Sequence, residues 1–162
     1  MDVDTQTREI VVWRNDRPLA VGFDGRSRTV PFEPAGIRAE YSTYLRPGTG
    51  WVAWDAYRED GPFQIGWSLA GGSGRHQTNT GRGVTSAAVD PTGRLIAISE
   101  TTTLSVGRAR DVVYVLRTDT GAEVFRTYLP RYARSQVVFF EGGLFGYSNL
   151  EGTRILKVPD AQ

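Results

Sequence analysis

Apolar residues come along this chain in short bursts separated by turn-forming residues, and the densest series lies between Val84 and Leu129. Val84–Val89 and Leu95–Ser99 are two apolar runs joined by Asp90-Pro91-Thr92-Gly93, in which Pro presets φ and Gly supplies a positive φ. Val112–Arg117 and Ala122–Tyr128 are a second pair, joined by Asp119-Thr120-Gly121. Runs of this length predict strands rather than helices, and each pair across a tight turn predicts a hairpin. Glu100–Asp111, between the hairpins, is too polar for a core and reads as a long loop. The connections therefore alternate between short turn and long loop.

The rest of the chain repeats this rhythm. Met1–Thr7 reads as a frayed terminus. Ile10–Trp13, Leu19–Phe23 and Thr29–Phe32 are strand candidates, the last cut short by Pro31 and Pro34. Ile37–Leu45 alternates, with Tyr41 and Tyr44, and Arg-Pro-Gly-Thr-Gly after it favours strand plus turn. Trp51–Tyr57 and Phe63–Leu69 follow, then a Gly71–Gly74 turn and a polar strand over His76–Thr80. After Leu129–Ser135, Gln136–Phe140 and Leu144–Ser148 form a hairpin about Glu141-Gly142-Gly143, and Arg154–Val158 is the last strand. Corresponding runs recur at a blade-like period: Phe63 and Val112, like Leu95 and Leu144, lie 49 residues apart, and Trp51 and Leu95 lie 44 apart.

The segments AVDPTGRLIAIS and VVYVLRTDTGAEVF, with Tyr114–Gly121 at their centre, resemble a blade of a β-propeller of the WD40-like or quinoprotein-like kind. Arg117-Thr118 stands where the WD40 pattern has Trp-Asp. The resemblance implies an all-β, propeller-like array of about three and a half four-stranded antiparallel blades, over residues 8–32, 37–79, 84–129 and 135–158. The alternative is an all-β sandwich or barrel. An arc of that size leaves its ends uncovered, so closure favours self-association or a longer chain over a closed ring. The four tryptophans, Trp13, Trp51, Trp54 and Trp67, are expected to pack between blades.

Composition narrows the chemistry. The chain has 162 residues, a length suited to one domain, and 19 glycines and 18 aromatic residues suit an all-β fold. Its net charge of +1 makes no case for nucleic acid or membrane, and no apolar run is long enough to span a bilayer. The start is unlike a signal peptide, and a soluble, cytoplasmic protein is the expectation. With no cysteine, thiol chemistry and disulfides are excluded. Lys157 is the only lysine and the other 18 basic residues are arginine, which fits GC-rich coding or a need for bidentate contacts to carboxylate or phosphate.

No catalytic or cofactor motif stands out. His76 is the only histidine, so a serine triad must use it, yet Gly-Gly-Ser-Gly before it is not a nucleophile elbow. A surface strand histidine is the simpler reading. Asp55, Glu59 and Asp60 could form an acid–base pair but lack calcium-loop spacing. The Gly-rich segments precede strands, which is turn chemistry rather than a phosphate cradle. No cofactor or metal is expected. In a propeller the long loops share one face, and here they carry Arg82, Arg108, Arg110, Arg131, Tyr132 and Arg134. The expected function is a binding or scaffold module that presents this Arg-rich face to a protein, peptide or anionic ligand. The alternatives are a propeller hydrolase or lyase using Asp55, Glu59 or His76, and a structural half-propeller that self-associates.

Overall fold

The computed structural model describes residues 2–4, 8–14, 17–30, 32, 43–46, 50–54, 64–77, 83–103, 109–129, 135–140, 143–149 and 152–158. They form four small antiparallel sheets, none closed on itself. Sheet 1 holds β1 (Asp2–Asp4), β2 (Glu9–Arg14), β3 (Arg17–Gly22) and β4 (Ser27–Thr29). Sheet 2 holds β5 (Thr43–Arg46), β6 (Gly50–Trp54), β7 (Gln64–Leu69) and β8 (Gly72–Gln77). Sheet 3 holds β9 (Val84–Val89), β10 (Leu95–Thr103), β11 (Ala109–Arg117) and β12 (Glu123–Tyr128). Sheet 4 has three strands, β13 (Gln136–Phe139), β14 (Leu144–Asn149) and β15 (Gly152–Lys157). In every sheet the strands lie in chain order, so each is a meander.

The order in which the sheets stack follows from the period-two alternation of side chains. In sheet 3, Ile96, Ile98, Val112, Tyr114 and Leu116 face one way, and Leu95, Ala97, Val113 and Val115 face the other; all are buried. A strand apolar on both faces must be covered on both. The first set packs on Val52, Ile65, Trp67 and Leu69 of sheet 2. The second packs on Val137, Phe145 and Tyr147 of sheet 4, with Phe125 edge-on to Phe145 at 5.1 Å between centroids. The opposite face of sheet 2 carries Trp51 and Ala53, and Trp51 meets Val11, Ala20 and Val30 of the first unit. Sheets 1 to 4 are thus layered in sequence. Sheets 1 and 2 approach through their first strands, β1 and β5, and sheets 3 and 4 through theirs, β9 and β13, while sheet 3 meets sheet 2 through β9 and β6. Of the four tryptophans, Trp51, Trp54 and Trp67 pack between neighbouring sheets, and the Trp13 side chain lies outside the described residues.

Three local readings need correction. Asp2–Asp4, expected to fray, is a strand paired with β2. Glu100, Thr101 and Asp111, expected in a solvated loop, are buried and paired within β10 and β11, because each finds a polar partner inside the fold. Gly72–Gly74, expected in a flexible turn, begins β8. The glycine at 74 answers to packing: a Cβ there would stand 2.5 Å from Cζ2 of the Trp67 indole across the strand. That indole is buried, and its Nε1–H donates to the Thr118 carbonyl at 3.0 Å, joining sheet 2 to the β11–β12 turn.

Candidate functional site

The two kinds of connection lie at opposite ends of sheet 3. At the short-turn end, Asp90 accepts from the Leu95 amide at 2.7 Å and from the Thr92 amide at 3.1 Å, and Gly93 closes the turn at φ 71°. The Gly93 carbonyl then accepts from the Thr118 hydroxyl at 2.9 Å and from the Gly71 amide at 3.2 Å. Turns of adjacent sheets are therefore bonded directly to one another.

At the other end a buried carboxylate does the joining. Asp111, 0% exposed, accepts from the Thr101 hydroxyl at 3.0 Å through Oδ1. Through Oδ2 it accepts from the Ser135 amide at 2.9 Å and the Ser135 hydroxyl at 2.7 Å. Its own carbonyl accepts from the Leu129 amide at 2.8 Å. The Thr101 amide donates to the Gly83 carbonyl at 3.0 Å, and the Thr85 hydroxyl bonds Ser99 and reaches the Ser135 carbonyl at 3.3 Å. Gly83, Thr101, Asp111, Leu129 and Ser135 are thus held at one place. Gly83 follows residues 78–82, Leu129 and Ser135 flank 130–134, and Thr101 and Asp111 pair two residues inside Thr103 and Ala109, which flank 104–108.

Arg82, Arg108, Arg131, Tyr132 and Arg134 lie outside the described residues, as do Asp55, Glu59 and Asp60. Of Arg110 the backbone is described, in β11 opposite Thr102. His76 is described fully. It sits on β8 opposite Ile65, on the face turned to sheet 3, and half-buries against the Tyr114 ring at 5.6 Å between centroids. The expectation of a surface strand histidine is corrected: the covering ring comes from another sheet. Burial holds the His76 pKa below the ordinary value of 6.5; the nearby Glu123 charge opposes this and the Arg126 charge adds to it. Ser73 and His76 are three residues apart on one strand and so point to opposite faces, with Ser73 bonded to Ser68 instead. They do not make a nucleophile–base pair.

Around Tyr114 a second polar cluster assembles. Its hydroxyl donates to the buried Glu100 carboxylate at 2.9 Å, and burial together with that negative charge pushes the phenol far above its ordinary pKa. The hydroxyl is therefore a fixed donor near neutral pH. Arg126 lies 5.0 Å from the centroid of the Tyr114 ring and 6.0 Å from that of Tyr128, and its fork grips the Glu123 carboxylate. Glu123 raises the Arg126 pKa further. Similar forks join Arg28 to Glu9 and Arg117 to Asp119, and the latter holds the Asp119 carboxyl at about 2. Bidentate pairing is thus a real use of arginine in this chain. Glu100, Tyr114 and Asp111 escaped sequence reasoning because their partners lie 10 to 24 residues away. The available signal was the placement of Asp111 immediately before an apolar run.

Among the described residues, no helix is long and apolar enough to cross a membrane, and no group of three or more His, Asp or Glu is placed to hold a metal ion. No protein-family model, no curated protein and no solved structure matches this chain.

Proposed function

We propose that this chain is a binding module built on a propeller-like array, offering an arginine-rich loop face to an acidic protein or peptide segment. What supports the propeller-like reading is the succession of meanders layered in chain order, with first strands side by side at two of the three seams. What supports the binding face is the Asp111 knot. It fastens the roots of the segments carrying Arg82, Arg108, Arg110, Arg131, Tyr132 and Arg134 to one end of a rigid sheet. Loops rooted on a stiff scaffold are a common place for recognition. Arginines are the residue type that suits carboxylates, which take the guanidinium fork in a bidentate manner.

Binding of a fluorescein-labelled hexaglutamate peptide, followed by anisotropy at low salt, tests this reading. The double variant R108A/R110A is expected to lose at least about tenfold in affinity, or about 1.4 kcal/mol. Arg26→Ala, whose side chain is exposed in the β3–β4 turn, is expected to change affinity little. Equal affinity for wild type and R108A/R110A would refute the proposal.

A further inference from the structure

Both outermost faces of the stack carry apolar side chains. In sheet 4, Phe145 and Tyr147 turn toward sheet 3, so Leu144 and Gly146 turn away. The register sets Val138 and Ile155 on either side of Gly146. Val138 is 45% exposed, Ile155 58% and Leu144 37%. Phe140, also exposed, lies over Gly146, where an added Cβ would be 3.0 Å from its ring. In sheet 1, Val11 and Ala20 turn toward sheet 2, which leaves Ile10, Val12, Leu19 and Val21 on the other face, paired Ile10 with Val21 and Val12 with Leu19. Just past β3, the Phe23 amide donates to the Arg8 carbonyl at 3.2 Å, and Phe23 is 68% exposed at the end of this sheet.

We infer that these faces are the two halves of one further seam, formed between two copies of this chain, with sheet 4 of one copy laid on sheet 1 of the other. Inside the chain, each seam lays the outward face of one sheet on the inward face of the next in sequence. Sheet 4 has an apolar outward face of the same kind, and sheet 1 has an apolar inward face. A second copy supplies each with the surface that the stack already uses, so the new seam continues the existing layering. Pairing sheet 4 with its own copy would cover one face and leave the Ile10–Val21 face without a partner sheet. The head-to-tail arrangement covers both at once about a two-fold axis. It gives eight sheets, a number within the range in which radial arrays close, and a closed pair does not grow into fibres.

Light scattering coupled to size exclusion tests this on the 162-residue chain. A species of twice 17.9 kDa is expected at about 100 µM. Phe23→Asp and Ile155→Asp alter side chains more than half exposed, so near-ultraviolet circular dichroism and melting are expected to match wild type. Each is expected to weaken dimerisation by at least about tenfold. Mixing the two is expected to restore a dimer, because the first keeps an intact sheet 4 face and the second an intact sheet 1 face. A wild-type monomer would overturn the inference, as would a dimer indifferent to Phe23→Asp, or a mixture as monomeric as its components. Hexaglutamate binding by both variants is expected to persist, which separates this outcome from that of the loop-face proposal.

Discussion

Removing the Asp111 carboxylate should show how much of the fold depends on one buried acceptor. In Asp111→Ala, the Ser135 amide, the Ser135 hydroxyl and the Thr101 hydroxyl lose the partner they donate to. Ser135 is 0% exposed and Thr101 3%, so water does not replace the carboxylate without opening the sheet 3 to sheet 4 junction. The two hydroxyls can rotate toward other acceptors, but the Ser135 amide is fixed in direction. An orphaned buried donor costs about 1–3 kcal/mol. One donor fully orphaned and two partly so give about 2–5 kcal/mol, a large share of the roughly 5–15 kcal/mol by which domains are stable. Asp111→Asn keeps the shape and one accepting oxygen, and is expected to cost about half as much. Urea unfolding followed by tryptophan fluorescence would give both values. A cost below about 0.5 kcal/mol for Asp111→Ala would refute the assignment of Asp111 as the fastening of the loop roots.

Three other outcomes are expected. Gly74→Val drives a side chain into the Trp67 indole and should destabilise by about 1–3 kcal/mol in the same urea assay, with a red-shifted emission as the indole loses its seat. Tyr114→Phe removes a donor to the buried Glu100 carboxylate and should cost about 1–3 kcal/mol, and difference absorbance at 295 nm should show one phenol fewer resisting ionisation at high pH. His76 has a folded-state pKa below its unfolded value, so the unfolded chain binds more protons in that window. Stability should therefore be full above the ordinary value of 6.5 and fall as pH drops below it, a slope that His76→Gln should remove.

The strands of sheet 3 were legible because their apolar runs and flanking turns are local signals. Asp90–Gly93 and Asp119–Gly121 sit where the structure has its turns. What escaped the sequence depends on distant partners. Glu100 and Asp111 look like loop residues until Tyr114 and Ser135 are brought against them. Gly72–Gly74 reads as a flexible turn until Trp67 is seen beneath it. His76 reads as solvated until Tyr114, from the next sheet, covers it. The arginines of the loop face were legible as a composition bias alone; the described structure adds the roots of their segments and the use of arginine forks elsewhere in the chain.

Native-state hydrogen exchange tests the layered stack most directly. With sheet 3 covered on both faces, the amides of Ile96–Ser99 and Val112–Leu116 are expected to exchange only through global unfolding, while those along β4 and β15, at the stack's outer edges, exchange through local opening. Exchange across β10 and β11 as fast as in β15 would mean that sheet 3 is not the interior layer, and would contradict the stacking order on which the seams, the loop roots and the pairing of copies rest.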